Sequence, residues 1–353
     1  MGGTMYRRVV CAVVCVSAAS CFGFETAVRA QDAETFYRNL GQMNVIVSSA
    51  SGGGYDMTAR LTGKYMSKYL PGNPHEIVQN MPGGAGIRAA NFLYNVAPKD
   101  GRTFGLVDRA IPTAPLIYGG ETKGLFDATK FSWIGSGMRE SGMGAMSTVA
   151  NVRSIEDAKT KEVFVGSQGP EQDTALYPRL LNVLLGTRFK NIYGYTGQDH
   201  IQQAVVTNEL MGMFTSGWSG GGQAFINARV KDGTMNTLVY MSTQRDPDNP
   251  DTPTILELVS TPEDRQMVEL ILSRMVLGRP FIAPPGLPED RVDMLRSAFR
   301  KAFEDPEFLR EAALRQVAVN PLWGKEAQET IVSIYQAPPA VIERLQKIAA
   351  ASK

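Results

Sequence analysis

Cysteine is confined to the leader-like start of this 353-residue chain, at Cys11, Cys15 and Cys21. A product lacking that segment has neither disulfide nor thiol chemistry and stands on its hydrophobic core alone. Histidine is as scarce: His75 and His200 lie far apart, which argues against a transition-metal site. Both are expected at the surface, His75 at a strand entry and His200 in the first turn of a helix, where lining a cleft is its alternative. The acidic loop Asp246-Pro247-Asp248-Asn249-Pro250-Asp251 lacks the glycine that a calcium loop needs after its third ligand. The methionines read as core filler. No metal and no cofactor is expected. After residue 30 no apolar run approaches the ~18 residues of a membrane span. Excess charge of one sign is missing too. Removing Arg7, Arg8, Arg29 and Glu25 leaves 33 basic and 34 acidic residues, a formal charge of −1. Nothing in that balance points to nucleic acid or to an anionic membrane surface.

The first thirty residues read as a signal peptide. Arg7 and Arg8 form the positive region, Val9 to Phe24 is apolar, and Val28-Arg29-Ala30 supplies a small-residue cleavage site, with cleavage after Ala30. Two rivals fit less well. Ala18-Ala19-Ser20-Cys21 lacks the leucine of a lipoprotein box, and Val9-Val10 is a poor continuation of a twin-arginine signal. The mature chain of about 320 residues is long enough for a core of its own, usually as two domains.

Apolar strand-like runs alternate with helical patterns, which predicts βαβ units and a largely parallel sheet. Asn44 to Val47, Glu76 to Gln79 and Thr103 to Val107 read as strands, with helices over Asp56–Tyr69 and Ile87–Asn95. A second unit opens near Ala145, with strands at Val163–Val165 and Met211–Phe214. Asp173 and Asp199 are placed to cap its helices. From Pro288 the chain is helical, punctuated at Pro306, Gly324 and Pro338-Pro339.

Against that background two glycine loops stand out. Ser51-Gly52-Gly53-Gly54-Tyr55-Asp56 joins the first strand to its helix, and Gly83-Gly84-Ala85-Gly86 joins the second. Glycine leaves no side chain to keep a ligand off the backbone and permits positive φ. The following helix turns its free N–H groups and positive dipole end toward the loop, a geometry that suits an anion. Ligands of open α/β sheets bind outside the carboxyl ends of the strands, so both loops face one point. Charged hydrogen bonds of roughly 1.5–3 kcal/mol each, set against an association cost of ~4–15, reach about micromolar affinity. That is a capture protein's range, and no catalytic group is required. Tight turns alone are the plainer explanation of each loop; the pairing argues against it.

Two catalytic or cofactor patterns fail. Gly84-Ala85-Gly86-Ile87-Arg88-Ala89 fits the dinucleotide fingerprint only formally, because the acid near the right distance, Asp108, follows the next strand. No Walker lysine follows either loop. Gly217-Trp218-Ser219-Gly220-Gly221 matches the nucleophile elbow of serine hydrolases, but there the histidine follows the serine in chain order. His75 and His200 both precede Ser219.

The loops resemble those of the Bug family, the TctC-like periplasmic solute-binding proteins of tripartite tricarboxylate transporters. The residues that carry the resemblance are Gly52 to Asp56 with Ala59-Arg60, then Asn80, Pro82 and Gly83 to Gly86, then Ala97-Pro98-Lys99-Asp100-Gly101. Gly166-Ser167, Gly194-Tyr195-Thr196-Gly197, Pro253-Thr254 and Ala283-Pro284-Pro285-Gly286 extend it over the whole mature chain. The resemblance implies an α/β, two-domain periplasmic-binding-protein (Venus-flytrap) fold with its ligand cleft between domains joined by crossing strands. Residues 31–143 with 277–353 would form the first domain and 144–276 the second. It implies a non-enzymatic, monomeric, exported protein that captures a small organic carboxylate and hands it to integral-membrane permease subunits. Backbone N–H groups of the first two loops would hold one carboxylate. Ser167, Gln168, Tyr195, Thr196, Thr215 and Ser216 would hold the other end.

Several positions depart from the family pattern. Ser48-Ser49-Ala50-Ser51 replaces a proline-containing stretch, and Tyr55 stands where a small residue is commoner, to narrow the mouth or stack on a ligand. Pro170-Glu171-Gln172 replaces a glycine- and serine-rich segment. Arg109 and Arg139 are candidate partners for a second carboxylate, with surface exposure as the plainer alternative. Two other functions fit parts of the same sequence: a sensor presenting the bound ligand to a signalling receptor, and a secreted hydrolase using Ser219.

Overall fold

The computed structural model describes residues 32–117, 125–170, 172–215, 217–218 and 222–350. The leader, Glu171, Ser216 and Ser219 lie outside them. The strands, in chain order, are β1 Gln42–Val47, β2 His75–Asn80, β3 Thr103–Leu106, β4 Ser132–Ser136, β5 Gly142–Ser147, β6 Val163–Gly166, β7 Phe189–Ile192, β8 Gly212–Thr215, β9 Met235–Met241, β10 Pro280–Ala283 and β11 Leu322–Trp323. They form two sheets, ordered β11-β4-β10-β3-β1-β2 and β7-β6-β8-β5-β9.

Each sheet is mixed, not largely parallel. β1 runs parallel to β2 and β3, while β10 is antiparallel to β3 and β4. In the second sheet β6 runs parallel to β7 and β8, but β5 is antiparallel to β8 and β9. The antiparallel strands are those on either side of the passages between sheets, where the chain leaves β4 for β5 and returns from β9 to β10. β5 among them is glycine- and methionine-rich (Gly142-Met143-Gly144-Ala145-Met146), so there neither the β-branched enrichment nor the period-2 alternation that marks a strand is present.

The helices are α1 Ala33–Arg38, α2 Gly54–Tyr69, α3 Ile87–Asn95, α4 Ala114–Ile117, α5 Ile155–Thr160, α6 Asp173–Leu185, α7 Gln198–Val206, α8 Gln223–Lys231, α9 Ile255–Leu258, α10 Pro262–Val276, α11 Glu289–Glu304, α12 Pro306–Leu314, α13 Gly324–Ile334 and α14 Pro339–Ala350. Two helix starts differ from expectation. Gln172 flanks α6 and Gly197 flanks α7, neither with a side-chain cap, while Asp173 and Asp199 sit inside the first turn. Asp173 is drawn away from a capping role by two arginines, described below.

One face of the first sheet packs on α2, α11 and α12 around a run of aromatic rings, with Phe281 to Phe299 at 5.4 Å, Phe299 to Phe303 at 4.4 Å and Phe303 to Phe308 at 4.6 Å. Such ring pairs add about 0.5–1.5 kcal/mol each beyond area burial. The opposite face shares a continuous core with the second sheet, through α10, α13 and α14. Within it, Gln346 on α14 donates to Leu116 O, and Ala349 O on the same helix accepts from Arg179 of α6.

Candidate ligand-binding site

Parallel pairing decides where the glycine loops go. Val47 is in register with both Asn80 and Leu106, so the segments after β1, β2 and β3 leave from one edge of the sheet. They touch at Gly86, where a Cβ would stand 2.9 Å from Asp108 Cβ and 3.4 Å from Ser48 Cβ. Gly83, Gly84, Ala85 and Gly86 all have positive φ, at 132°, 56°, 49° and 90°. At Gly83 and Gly86 glycine is therefore a requirement of the backbone, while Ala85 holds a left-handed conformation that L side chains rarely adopt.

The first loop is held from behind by Asp56, which is only 3% exposed. Its carboxylate accepts from Gly52 N at 2.9 Å, Asn80 Nδ2 at 2.9 Å and Arg60 Nε at 3.0 Å. Asn80 also donates to Ser49 O and accepts from Arg60 Nη2, tying β2 to the loop of β1. Burial alone would raise the Asp56 pKa; the Arg60, Gly52 and Asn80 hydrogen bonds outweigh it and hold the group at about 2. Asp56 is thus an anion of the scaffold, and its place in the site is structural.

In front of it the loop is open. Ser51 to Gly54 are exposed. Gly53 has an ordinary φ of −84°, and a Cβ on it would meet nothing within 4 Å. At Gly54 a Cβ would meet only Arg279 Nη2, at 3.6 Å. Neither backbone angle nor crowding calls for glycine at these two positions, and α2 begins there with no side-chain cap. The arrangement offers uncapped helix N–H groups to an anion with no side chain in the way.

Tyr55 closes the back of the loop. Its hydroxyl donates to Gly278 O and accepts from Arg109 N, both at 3.3 Å, and the Arg279 guanidinium lies 4.1 Å from its ring centroid. Burial, assisted by Asp108, pushes the phenol pKa up. The ring is therefore stacked on an arginine of the chain itself. Arg109 is committed as well: its Nε donates to Asp173 Oδ2 at 2.8 Å, and Arg274 Nη2 lies 3.2 Å from Asp173 Oδ1. Burial raises the Asp173 pKa, but Arg274 and Arg109 more than compensate and keep it below the usual range. Arg139 is half-exposed and pairs with Glu326 at 2.9 Å. Arg109 is thus buried in an ion pair within the chain, and Arg139 lies at the surface.

The loops after β6, β7 and β8 carry the other candidates. Ser167 is buried, with its hydroxyl 3.0 Å from Thr174 Oγ1 and donating to Gly169 O. Gln168 is half-buried and Thr196 exposed, the latter bonded to the His200 ring. Tyr195 donates to Glu209 at 2.6 Å, and Thr215 ends β8 with a buried hydroxyl that has no partner among the described residues. His75 and His200 are both exposed. Arg274 and Arg279 were not legible as site residues. Each lies in a stretch with no motif, and its position follows from the passage between the sheets.

The fold is that of the two-domain periplasmic binding proteins. A TctC solute-binding protein from Polaromonas, 19% identical, superposes with a TM-score of 0.65 over 86% of this chain and 98% of its own. The periplasmic binding protein BugD, 20% identical, does so at 0.61 over 87% and 97%. MatC from Rhodopseudomonas palustris, solved with bound malate, is 20% identical at 0.59 over 87% and 98%. The chain belongs to the tripartite tricarboxylate transporter family receptors, TctC, whose family model matches residues 58–337. It is thus a solute-binding protein of a family of periplasmic binding proteins. A Cupriavidus necator relative, a UPF0065 protein in the gbd 5′ region, is 24% identical over 86% of this chain and 87% of its own length. Among the described residues no helix is long and apolar enough to cross a membrane.

Proposed function

We propose that this chain captures a small organic carboxylate in the periplasm and delivers it to the permease subunits of a tripartite tricarboxylate-type transporter. The observation that carries the proposal is the pair Gly53 and Gly54. They lie at the uncapped start of α2, where the fold itself has no need of glycine. The ligand carboxylate accepts from backbone N–H groups there and at Gly84 and Ala85, opposite residues of the β6, β7 and β8 loops. Two family relatives of known structure hold carboxylates, malate in one and adipate in the other.

Residues 31–143 with 277–353 act as one domain and 144–276 as the other, closing over the anion and expelling water, which strengthens each hydrogen bond. The leader is removed near Ala30, and the mature chain works as a monomer without enzymatic activity. Thermal-shift screening of the mature protein against mono-, di- and tricarboxylates and aromatic acids tests the reading. At least one acid raises the melting temperature; stabilisation by a sugar or a cation and by no carboxylate contradicts it.

A further inference from the structure

Arg279 sits where the chain re-enters the first sheet, and its backbone is pinned on both sides. Its N–H donates to Ser136 Oγ at 3.0 Å, and its carbonyl accepts from Gly137 N at 2.8 Å. The side chain turns back over Tyr55, stacking at 4.1 Å, with Nη1 donating to Gly278 O at 3.0 Å and lying 3.7 Å from Glu140 Oε1. That uses one edge of the guanidinium. On the other edge Nε is buried without a hydrogen-bond partner among the described residues, and Nη2 lies beside Gly54. A buried N–H with no acceptor is costly and calls for an explanation. Here a planar donor edge and the N-terminal end of α2, both positive, stand side by side, and among the described residues no carboxylate bonds to either Nε or Nη2. The side chain is 14% exposed, so water screens that charge little.

We propose that Arg279 is a ligand-binding residue: its Nε/Nη2 edge pairs with the same carboxylate that the first glycine loop holds, and so selects anions over neutral analogues. The inference rests on the carboxylate-binding reading above and adds to it the residue that reads the charge. Arginine suits the task because its fork matches two carboxylate oxygens and keeps its charge at any working pH. Tyr55 contributes by holding the guanidinium flat against the loop, which explains a large residue behind the glycines.

The test pairs a charge removed from the protein with a charge removed from the ligand. Succinate, malate, adipate, citrate and benzoate are titrated calorimetrically into the wild type, Arg279→Gln and Arg279→Met, each acid beside its full amide. Arg279→Met keeps the apolar stem packed on Tyr55 and serves if the glutamine variant fails to fold. The expected result is that the best acid binds the wild type and weakens roughly thirtyfold in either variant, and that the penalty for amidation shrinks by a similar factor. A folded variant that binds the acid within threefold of wild type, or that keeps the full amidation penalty, overturns the role of Arg279 and leaves the carboxylate reading standing. Binding of no acid by the wild type overturns both.

Discussion

The two glycine loops look alike in sequence and, apart from Gly52 with its φ of 90°, differ in what glycine does for them. At Gly84 and Gly86 the residue answers to the backbone: φ is positive, and at Gly86 a Cβ would run into Asp108. At Gly53 and Gly54 it answers to nothing in the fold, because a Cβ at Gly53 meets empty space and one at Gly54 meets only the end of an arginine. A glycine the scaffold does not need, placed at a bare helix N-terminus, is the stronger sign of a ligand. The second loop, by contrast, is a shaped turn that brings its N–H groups to the same edge.

The comparison breaks most sharply at Gly86. Gly86→Val forces a β-branched side chain into positive φ and into Asp108, and unfolding in urea should show a loss on the order of 3 kcal/mol. Gly53→Val is the converse. Its melting temperature should stay within about 2 °C of wild type, since surface changes without strain stay near ±0.5 kcal/mol, while calorimetry should show the best acid binding at least ~10-fold more weakly. Equal effects of the two substitutions on stability would erase the distinction between the loops.

A smaller and pH-dependent effect belongs to Asp56, which anchors the first loop from behind. Its folded pKa, about 2, lies below the ordinary carboxylate value of 3.8. The stability it contributes is therefore fully present above the ordinary carboxylate range and is lost as the pH falls toward 2. Asp56→Asn should flatten the stability–pH curve between about pH 4 and 2 relative to wild type. An unchanged acid limb in that variant would mean the Gly52, Asn80 and Arg60 contacts do not hold the loop.

Much of this was legible in the residues. The strand ends at Val47 and Gln79–Asn80, the helix Ile87–Asn95 and the breaks at Pro306, Gly324 and Pro338-Pro339 all announced themselves through apolar runs and breakers. β4, β5, β9 and β10 did not. Their pairing is between residues distant in the chain, as Met143 with Thr215 and Tyr240, and in β5 the glycines and methionines carry no strand periodicity. The same gap hid the charges. Arg109 looked available because its partner Asp173 is 64 residues away, and Arg279 looked ordinary because Tyr55, on which it stacks, belongs to the other end of the chain. Tertiary contacts of this kind leave no local signature.

The central claim, that the paired loops at the first sheet hold a ligand carboxylate, is tested most directly by a crystal structure of the mature chain with its best-stabilising acid. A carboxylate oxygen at about 2.7–3.1 Å from backbone nitrogens of Gly53 to Tyr55, and another contact from Gly84 or Ala85, is the predicted result. An acid bound with its carboxylate away from both loops would contradict the account.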